Sequence, residues 1–486
     1  MGIVNEFCEQ AWQMYRSGLP RATRQKSEQR LLDSLGNALA ATASEIDQVV
    51  RLSAAGWGSG SAASAWGSDW RYPAAVAAFI NGSLSHALDF DDTHLPSIVH
   101  PSASIVPAAL AVAEESGSSG AELLDAITLG TELAVRLGVA GYDRERNISV
   151  FFERGFHATS ICGAIGAALS AALLSGLSSQ QAASAAAIAS SLGAGILEAN
   201  RTGGTVKRVH CGWAAQAGVM AAKMAAAGLT GPPTAFEGRF GLISSHCGEG
   251  MDTSAILGGL GELWETDSIA FKPYPCNVFT HPIIDAAVAL RASGVNAEDV
   301  LSIEIGGAGA ALRTIAYPEK DKARPESGYH GAFSAPYTVA SALVGGGGLG
   351  LSHSDFDDSR LQESLRMRLA QVTSCYVDEE CDASFPASLP AVVRVRMRGG
   401  EVHEHRVRNS RGTPANPLSD ADLLLKFRSN LEHAGMGDRA DTLHALISTV
   451  ETMSSVEPLV HALVRRAGTK PDGPEPDGLE KVKQTT

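Results

Sequence analysis

A long uncharged stretch limits most strongly what this chain can fold into. Residues 158–197 contain no Asp, Glu, Lys or Arg and consist mainly of Ala, Ser, Leu, Gly and Ile. An apolar stretch of this length can span a membrane or lie in the middle of a helical protein. Its Ser, Gly and Gln content makes it only weakly hydrophobic, so we expect buried helices of a globular core and no membrane association.

The neighbouring segments share this small and aliphatic composition. They are separated by short Gly/Ser turns and cover residues 103–114, 120–139, 158–175, 179–198 and 211–227. Small residues let helices approach closely, and short turns join antiparallel neighbours. Two amphipathic helical patterns between residues 10 and 41 precede them. Residues 1–268 therefore predict a large all-helical domain.

The pattern changes after Glu265. Thr280 is a plausible N-cap for a helix that runs to Ala292, and residues 300–305 alternate as a strand does. Residues 393–398 and 401–407 flank Gly399-Gly400 with period-2 patterning, which is typical of a β-hairpin. We predict a smaller α+β lid domain over residues 269–410, a return to the helical domain over 411–466, and a disordered tail over 467–486. The fold class is mainly α.

Charge and cysteine content restrict the partners and the compartment. The chain has 39 Lys+Arg against 53 Asp+Glu, a net charge of −14, which argues against nucleic acid or an anionic membrane surface as the partner. Its seven cysteines are odd in number and form no CxxC pair, so neither a disulfide framework nor a zinc ribbon is indicated. The N-terminus does not resemble a secretory signal, and we expect a cytoplasmic protein.

One polar segment, residues 86–107, interrupts the Ala-rich sequence with three carboxylates and several imidazoles. It reads HALDFDDTHLPSIVHPSASIVP. Such a cluster can be acid/base machinery, a metal site, or a solvated turn that caps a helix. Capping accounts for one or two of these residues but not for His94 and His100 beside an acidic triplet. A metal site is disfavoured because no HxxxH or HxxE spacing is present, so we predict no metal.

Three further places carry chemically useful side chains. His157 opens the uncharged stretch, although a single His at a helix start is often structural. The segment RTGGTVKRVH, residues 201–210, combines a Gly pair with Lys207 and His210. This combination is equally typical of a site for an anionic ligand and of a solvated basic turn. Lys272 lies in a Pro-rich loop at the inferred domain junction, where ligand clefts tend to form.

The motifs together resemble the MmgE/PrpD family. They are DFDDT followed by HPSAS, GFHATSICGAIGAA, GGTVKRVHCGWAAQAG, KPYPCNVFTHPIIDA and FSAPYTVASAL, in this order over nearly the whole chain. The resemblance implies a metal-free and cofactor-free site for a small di- or tricarboxylate, in a cleft between the two domains, and a homodimer. It assigns Asp89, Thr93, His100, His157, Lys207 and Lys272 to that site.

The family includes 2-methylcitrate dehydratase, cis-aconitate decarboxylase and iminodisuccinate epimerase. Their reactions share a carbanion-like carbon next to a carboxylate, which needs an acid, a base and cations for the carboxylates. We expect His100, oriented by Asp89, as the base and His157 as the second acid/base. The expected substrate-binding residues are Thr93, Lys207, His210, Lys272 and Asn277.

The animal decarboxylase has a histidine at the position of Asn277, so this chain departs from that pattern. The sequence therefore favours a carbon–oxygen lyase of the 2-methylcitrate dehydratase type. Decarboxylase or epimerase activity on the same scaffold is the alternative, and a non-catalytic binding protein is the alternative from another class.

Overall fold

A computed structural model describes residues 2–146, 148–199, 204–249 and 251–464. The chain forms two compact units, which are described separately below. The first comprises residues 1–268 and the segment from 434 onward, and the second comprises residues 269–433. The predicted tail over residues 467–486 lies outside the described residues.

The first unit is built from helices, as the sequence predicts. Short two-residue strands lie between them, at Ala63–Ser64 (β1), Arg71–Tyr72 (β2), Thr93–His94 (β3), Tyr142–Asp143 (β4) and Ile148–Ser149 (β5). The helices are α1 (Ile3–Ser17), α2 (Arg21–Ala41), α3 (Glu45–Ala54), α4 (Ala74–His86), α5 (Ser102–Ser116), α6 (Gly120–Ala140), α7 (Val150–Glu153), α8 (Ala158–Leu174), α9 (Ser179–Leu192), α10 (His210–Ala226) and α11 (Leu242–Cys247).

Small residues allow the central helices to pack with their backbones close together. A Cβ atom added to Gly212 of α10 would lie 2.0 Å from the Ser83 hydroxyl and 2.3 Å from the Phe79 carbonyl of α4. Gly130 of α6 and Gly166 of α8 contact each other in the same way. Because α8 is buried along its whole length, the first part of the uncharged stretch, residues 158–174, lies in the interior of this unit.

Among the described helices, none has the combination of length and hydropathy that a membrane span requires.

The second unit contains a mixed sheet covered by helices. Its strands are β6 (Ile269–Ala270), β7 (Val300–Gly307), β8 (Thr373–Val377), β9 (Ala391–Met397) and β10 (Val402–Val407). The four longer strands are ordered β10-β9-β7-β8; β9 and β10 form the predicted hairpin, and β8 runs parallel to β7. Its helices are α12 (His281–Ala292), α13 (Gly309–Ile315), α14 (Glu319–Ala323), α15 (Gly328–Gly331), α16 (Ala335–Val344), α17 (Ser364–Gln371), α18 (Glu379–Ser384) and α19 (Asp420–His433). The predicted fold class, mainly α with a smaller α+β part, is confirmed.

The chain returns to the first unit later than the sequence analysis places it. The sequence predicts the return at residue 411, whereas α19 groups with the second unit. Side-chain contacts hold α19 there: Arg411 pairs with Asp422 at 2.6 Å, and His353 Nε2 lies 2.8 Å from the Asn430 amide oxygen. The return begins at Ala434 and contains α20 (Ala440–Ser448) and α21 (Glu457–Leu463).

Candidate active site

The loop between α4 and α5 carries the acidic and imidazole cluster of the sequence. Two of its residues have a left-handed backbone, Asp89 with φ of 53° and Ile98 with φ of 55°. Such values are uncommon for residues other than Gly, and for a β-branched residue they indicate strain. The Asn37 amide of α2 donates a hydrogen bond to the Phe90 carbonyl at 3.2 Å, so packing against α2 helps to hold this loop in place.

The His100 ring is held in one orientation by the loop itself. Its Nδ1 lies 2.8 Å from the Asp92 carbonyl oxygen and 3.0 Å from the Thr93 hydroxyl. A carbonyl oxygen can only accept, so Nδ1 carries a proton and the neutral ring has its lone pair on Nε2. The His100 backbone N–H also donates to the Thr159 hydroxyl of α8. The half-buried ring of His100 therefore presents a basic nitrogen in a fixed direction.

The Asp92 carboxyl supports the start of α5. It accepts hydrogen bonds from the Ser102 hydroxyl at 2.6 Å and from the Ser102 backbone N–H at 3.2 Å. Burial raises the pKa of Asp92 to about 7, and the nearby charges of Asp33 and Asp91 act in the same direction. Asp92 is thus a structural residue whose own carbonyl orients His100.

His157 and His210 form a buried imidazole pair. Their Nδ1 atoms are 2.9 Å apart, so one ring donates and the other accepts. Gly195, with φ of +147°, packs against both residues, and a Cβ there would lie 3.3 Å from His210 Nδ1. Burial, followed by the charges of Lys207 and His86, lowers the pKa of His157 well below its usual value. Burial also lowers the pKa of His210, to about 4. Both rings are therefore neutral at pH 7.

Lys207 lies in the 3-10 turn Val206–Val209, immediately before α10. Its Nζ is 3.5 Å from an Asp89 carboxylate oxygen, and 14% of its side chain is exposed. The expected orientation of His100 by Asp89 stays a prediction: the Asp89 carboxylate lies beside Lys207, and Nδ1 of His100 has the partners described above. The Lys207 charge also lowers the pKa of His86, His157 and His210, so it faces the same group of imidazoles.

The structure adds His86, Asp91 and Cys211, which the sequence analysis did not assign to the site. His86 Nδ1 lies 2.7 Å from an Asp91 carboxylate oxygen, and both side chains are at most 2% exposed. Burial alone would lower the pKa of His86, but the charge of Asp91, with a smaller contribution from Cys211, raises it to about 10. One nitrogen, oxygen and sulfur atom of the three lie within 4.8 Å of one another, a donor set that zinc accepts. The 2.7 Å hydrogen bond between His86 and Asp91 shows that these two residues form an ion pair, which explains why they lie together without a metal ion.

Lys272 and Asn277 belong to the second unit, and their place in the site stays a prediction. Lys272 is buried, with 2% of its surface exposed. The Asn277 side chain accepts a hydrogen bond from the Phe279 N–H at 3.0 Å and caps the short 3-10 helix Val278–Thr280. Asn277 therefore has a structural role as a helix cap, and this role does not depend on which substrate the protein binds.

The structure thus brings together most of the residues that the sequence singled out. Ring centroids of His86 lie 5.5 Å from His100 and 5.7 Å from His157, and those of His157 and His210 are 5.0 Å apart. The Thr93 hydroxyl lies 3.0 Å from His100 Nδ1, and Lys207 pairs with Asp89 beside the group. The arrangement combines neutral imidazoles, one oriented basic nitrogen and a largely desolvated ammonium, which suits proton transfer on an anionic substrate.

Comparisons with known proteins agree with this chemistry. The chain matches the MmgE/PrpD N-terminal domain model over residues 5–253 and the MmgE/PrpD C-terminal domain model over residues 274–452. It is 28% identical to the cis-aconitate decarboxylase of Mus musculus over 438 residues, which cover 89% of this chain and 86% of that protein. The Homo sapiens protein of the same name is also 28% identical, over 89% of this chain and 88% of its own length. That of Aspergillus terreus is 24% identical, over 95% of this chain and 96% of its own length. Since the two family models together cover most of the sequence, the protein belongs to the MmgE/PrpD family.

Proposed function

We propose that the protein is a metal-independent lyase that decarboxylates cis-aconitate or a closely similar unsaturated tricarboxylate. The observation that carries the proposal is the imidazole group of the first unit, with His100 Nε2 as its oriented proton-exchanging nitrogen. Similarity to cis-aconitate decarboxylases over about nine tenths of the chain supports this substrate class.

Decarboxylation of cis-aconitate needs one proton and no redox partner. The bond between the methylene carbon and its carboxylate breaks, and carbon dioxide leaves. The electron pair forms a new terminal double bond, the original double bond shifts, and the carbon next to the distal carboxylate takes up a proton. The product is a methylene-bearing dicarboxylate. The enzyme must therefore hold a polyanion and deliver a proton to one carbon.

His100 and Lys207 fit these two tasks. His100 keeps the Nδ1 proton on the Asp92 carbonyl in both protonation states, so Nε2 is the nitrogen that takes up and releases a proton. The Lys207 ammonium has little contact with water and lies 3.5 Å from an Asp89 carboxylate oxygen, and a substrate carboxylate can share it. Lys272 is proposed as a second carboxylate-binding cation, and His157 as the second acid/base group.

Dehydration of 2-methylcitrate, which the sequence analysis favoured, becomes the second candidate. Asn277 stands where the animal decarboxylase has a histidine, and that difference keeps dehydration under consideration. The named relatives favour decarboxylation over dehydration. The homodimeric state and the cytoplasmic location stay predictions.

A substrate panel separates the candidates. Purified protein is incubated separately with cis-aconitate, citrate, 2-methylcitrate and iminodisuccinate, and the products are identified by proton NMR together with carbon dioxide release. We expect vinylidene protons and carbon dioxide from cis-aconitate. An alkene formed from 2-methylcitrate without carbon dioxide would establish the dehydratase, and α-proton exchange in iminodisuccinate alone would establish the epimerase. If none of the four reacts, the protein is a binding protein and the proposal is wrong.

A further inference from the structure

The buried pair His86–Asp91 has no task in the reaction described above, yet it lies in the middle of the site. His86 ends α4, and the left-handed turn at Asp89 brings Asp91 back to it, so that Nδ1 and the carboxylate are 2.7 Å apart. Both side chains are almost completely shielded from water. A buried ion pair of this kind is costly to form and is seldom retained for stability alone.

The second nitrogen of His86 points away from Asp91. It is buried, and no atom of the described residues forms a hydrogen bond with it. The ring lies between the two acid/base imidazoles, with centroids 5.5 Å from His100 and 5.7 Å from His157. A charge on His86 is therefore next to both rings and shielded from water, where charges interact strongly.

Two positive charges on neighbouring buried imidazoles oppose each other, so one ring that keeps its proton leaves its neighbours neutral. The groups that face His86 are Asp91 from the loop, Cys211 from α10, Lys207 from the turn before α10, and the rings of His100 and His157. Of these, Asp91 forms the short hydrogen bond to Nδ1 and carries the opposite charge. His157 in turn faces His86, Lys207, His210 and His100.

We propose that His86 and Asp91 are positioning residues that hold one fixed positive charge between His100 and His157, and that this charge acts together with burial and the Lys207 ammonium to keep the His157–His210 pair neutral. The pair thereby selects which imidazoles of the site exchange protons. Its effect on turnover rests on the proposed function, whereas its effect on the protonation of His157 and His210 does not.

The test measures histidine protonation directly. Protein labelled with ¹³C at the histidine Cε1 position is titrated by NMR, and the His157 and His210 signals are assigned from His157→Gln and His210→Gln samples. In Asp91→Asn, His86 loses its counter-charge and becomes neutral, so His157 and His210 should bind protons at least threefold more tightly than in the wild type. His86→Gln should give a change in the same direction, because it removes the positive charge itself.

Two controls separate a charge effect from a loss of packing. Asp91→Glu keeps the carboxylate and should return the titration toward the wild-type value. Asp125→Asn removes a different buried carboxylate, which pairs with Arg24 at 2.6 Å, and should lower stability without moving the His157 and His210 signals. If Asp91→Asn and His86→Gln both leave these titrations unchanged, the pair is structural and the proposal is wrong. If Asp91→Asn does not fold, the titration of His157 and His210 in His86→Gln decides the question by itself.

If the proposed function is also correct, the acidic limb of the pH profile of kcat/KM moves to higher pH in Asp91→Asn. A shifted NMR titration in a protein that turns over none of the tested substrates would uphold the charge arrangement and reject the proposed function. An unshifted titration in an active enzyme would reject the charge arrangement and uphold the proposed function.

Discussion

At the scale of single residues, the tautomer of His100 decides what the site can do. A histidine whose Nδ1 donates to a backbone carbonyl has its lone pair on the opposite nitrogen, and here the carbonyl belongs to Asp92 in the same loop. The loop therefore supplies both the imidazole and the group that orients it. The strained backbone at Asp89 and Ile98 is consistent with a segment shaped for function.

Replacing His100 by Ala should reduce kcat by about 100- to 10,000-fold, the usual contribution of a general acid or base. The ring is half-buried and lies on a loop outside the helical core, so the melting temperature should change little. Steady-state kinetics and thermal unfolding of the same sample check both statements. Retained activity combined with a large drop in melting temperature would mean that His100 is structural.

The His157–His210 pair predicts a specific loss of stability in acid. The folded pKa of His210, about 4, is below the unfolded value of 6.5, so its contribution is present above pH 6.5 and is lost as the pH falls toward 4. Over that range the wild type should lose up to about 3 kcal/mol more than His210→Gln does. His461→Gln changes an exposed side chain and should follow the wild type, as urea unfolding at several pH values will show. Parallel curves for wild type and His210→Gln would contradict the buried neutral pair.

At the scale of elements, helix packing places the site residues. α4 ends at His86 and α10 begins at His210, and these two helices cross where Gly212 touches Phe79 and Ser83. The crossing therefore fixes the distance between the start of α10 and the loop that follows α4.

Gly212→Ala should be strongly destabilising, because its Cβ would lie 2.0 Å from the Ser83 hydroxyl and 2.3 Å from a backbone carbonyl. Overpacking of this kind costs about 1–3 kcal/mol. It should also lower activity, since α10 carries His210. Gly56→Ala is the matched control, because a Cβ there meets nothing within 4 Å. Equal stability of the two variants by thermal unfolding would show that the crossing is looser than described.

The helices could be predicted from sequence more completely than the site. Small apolar residues and short turns predict α5, α6, α8 and α10 within two residues of their observed ends, because a packed helical bundle is the usual fold for that composition. The pattern for α9 runs to residue 198, whereas the helix ends at Leu192. His157 and Lys207 were found because each is conspicuous beside an uncharged or Gly-rich segment. His86 was missed because it ends a helix that is buried on all sides, and only the left-handed turn at Asp89 brings Asp91 back to it.

At the scale of the whole molecule, the boundary between the two units at His433 and Ala434 is a second feature that the sequence alone does not predict. The amphipathic pattern of α19 predicts a helix but not the unit against which it packs. The contacts of Arg411 with Asp422 and of His353 with Asn430 decide that question, and the second pair joins residues 77 positions apart in the sequence. Hydrophobic periodicity predicts that a segment is a helix. The side-chain contacts that place this helix in one unit or the other are visible only in the structure.

We expect catalysis by this protein to be independent of metal ions. Prolonged treatment with EDTA, followed by removal of the chelator, should leave kcat and KM within about twofold of their original values, because the residues of the site supply the acid, the base and the cation themselves. Activity that is lost in EDTA and restored by zinc or magnesium would contradict this prediction.

The most direct test of the central claim is turnover of cis-aconitate by chelator-treated protein in deuterated water, followed by proton NMR. The account predicts one equivalent of carbon dioxide and a methylene-bearing dicarboxylate that carries one deuterium on the saturated carbon, with no product from His100→Ala prepared in parallel. Unchanged cis-aconitate, or a product without deuterium at that carbon, would contradict an imidazole-catalysed decarboxylation.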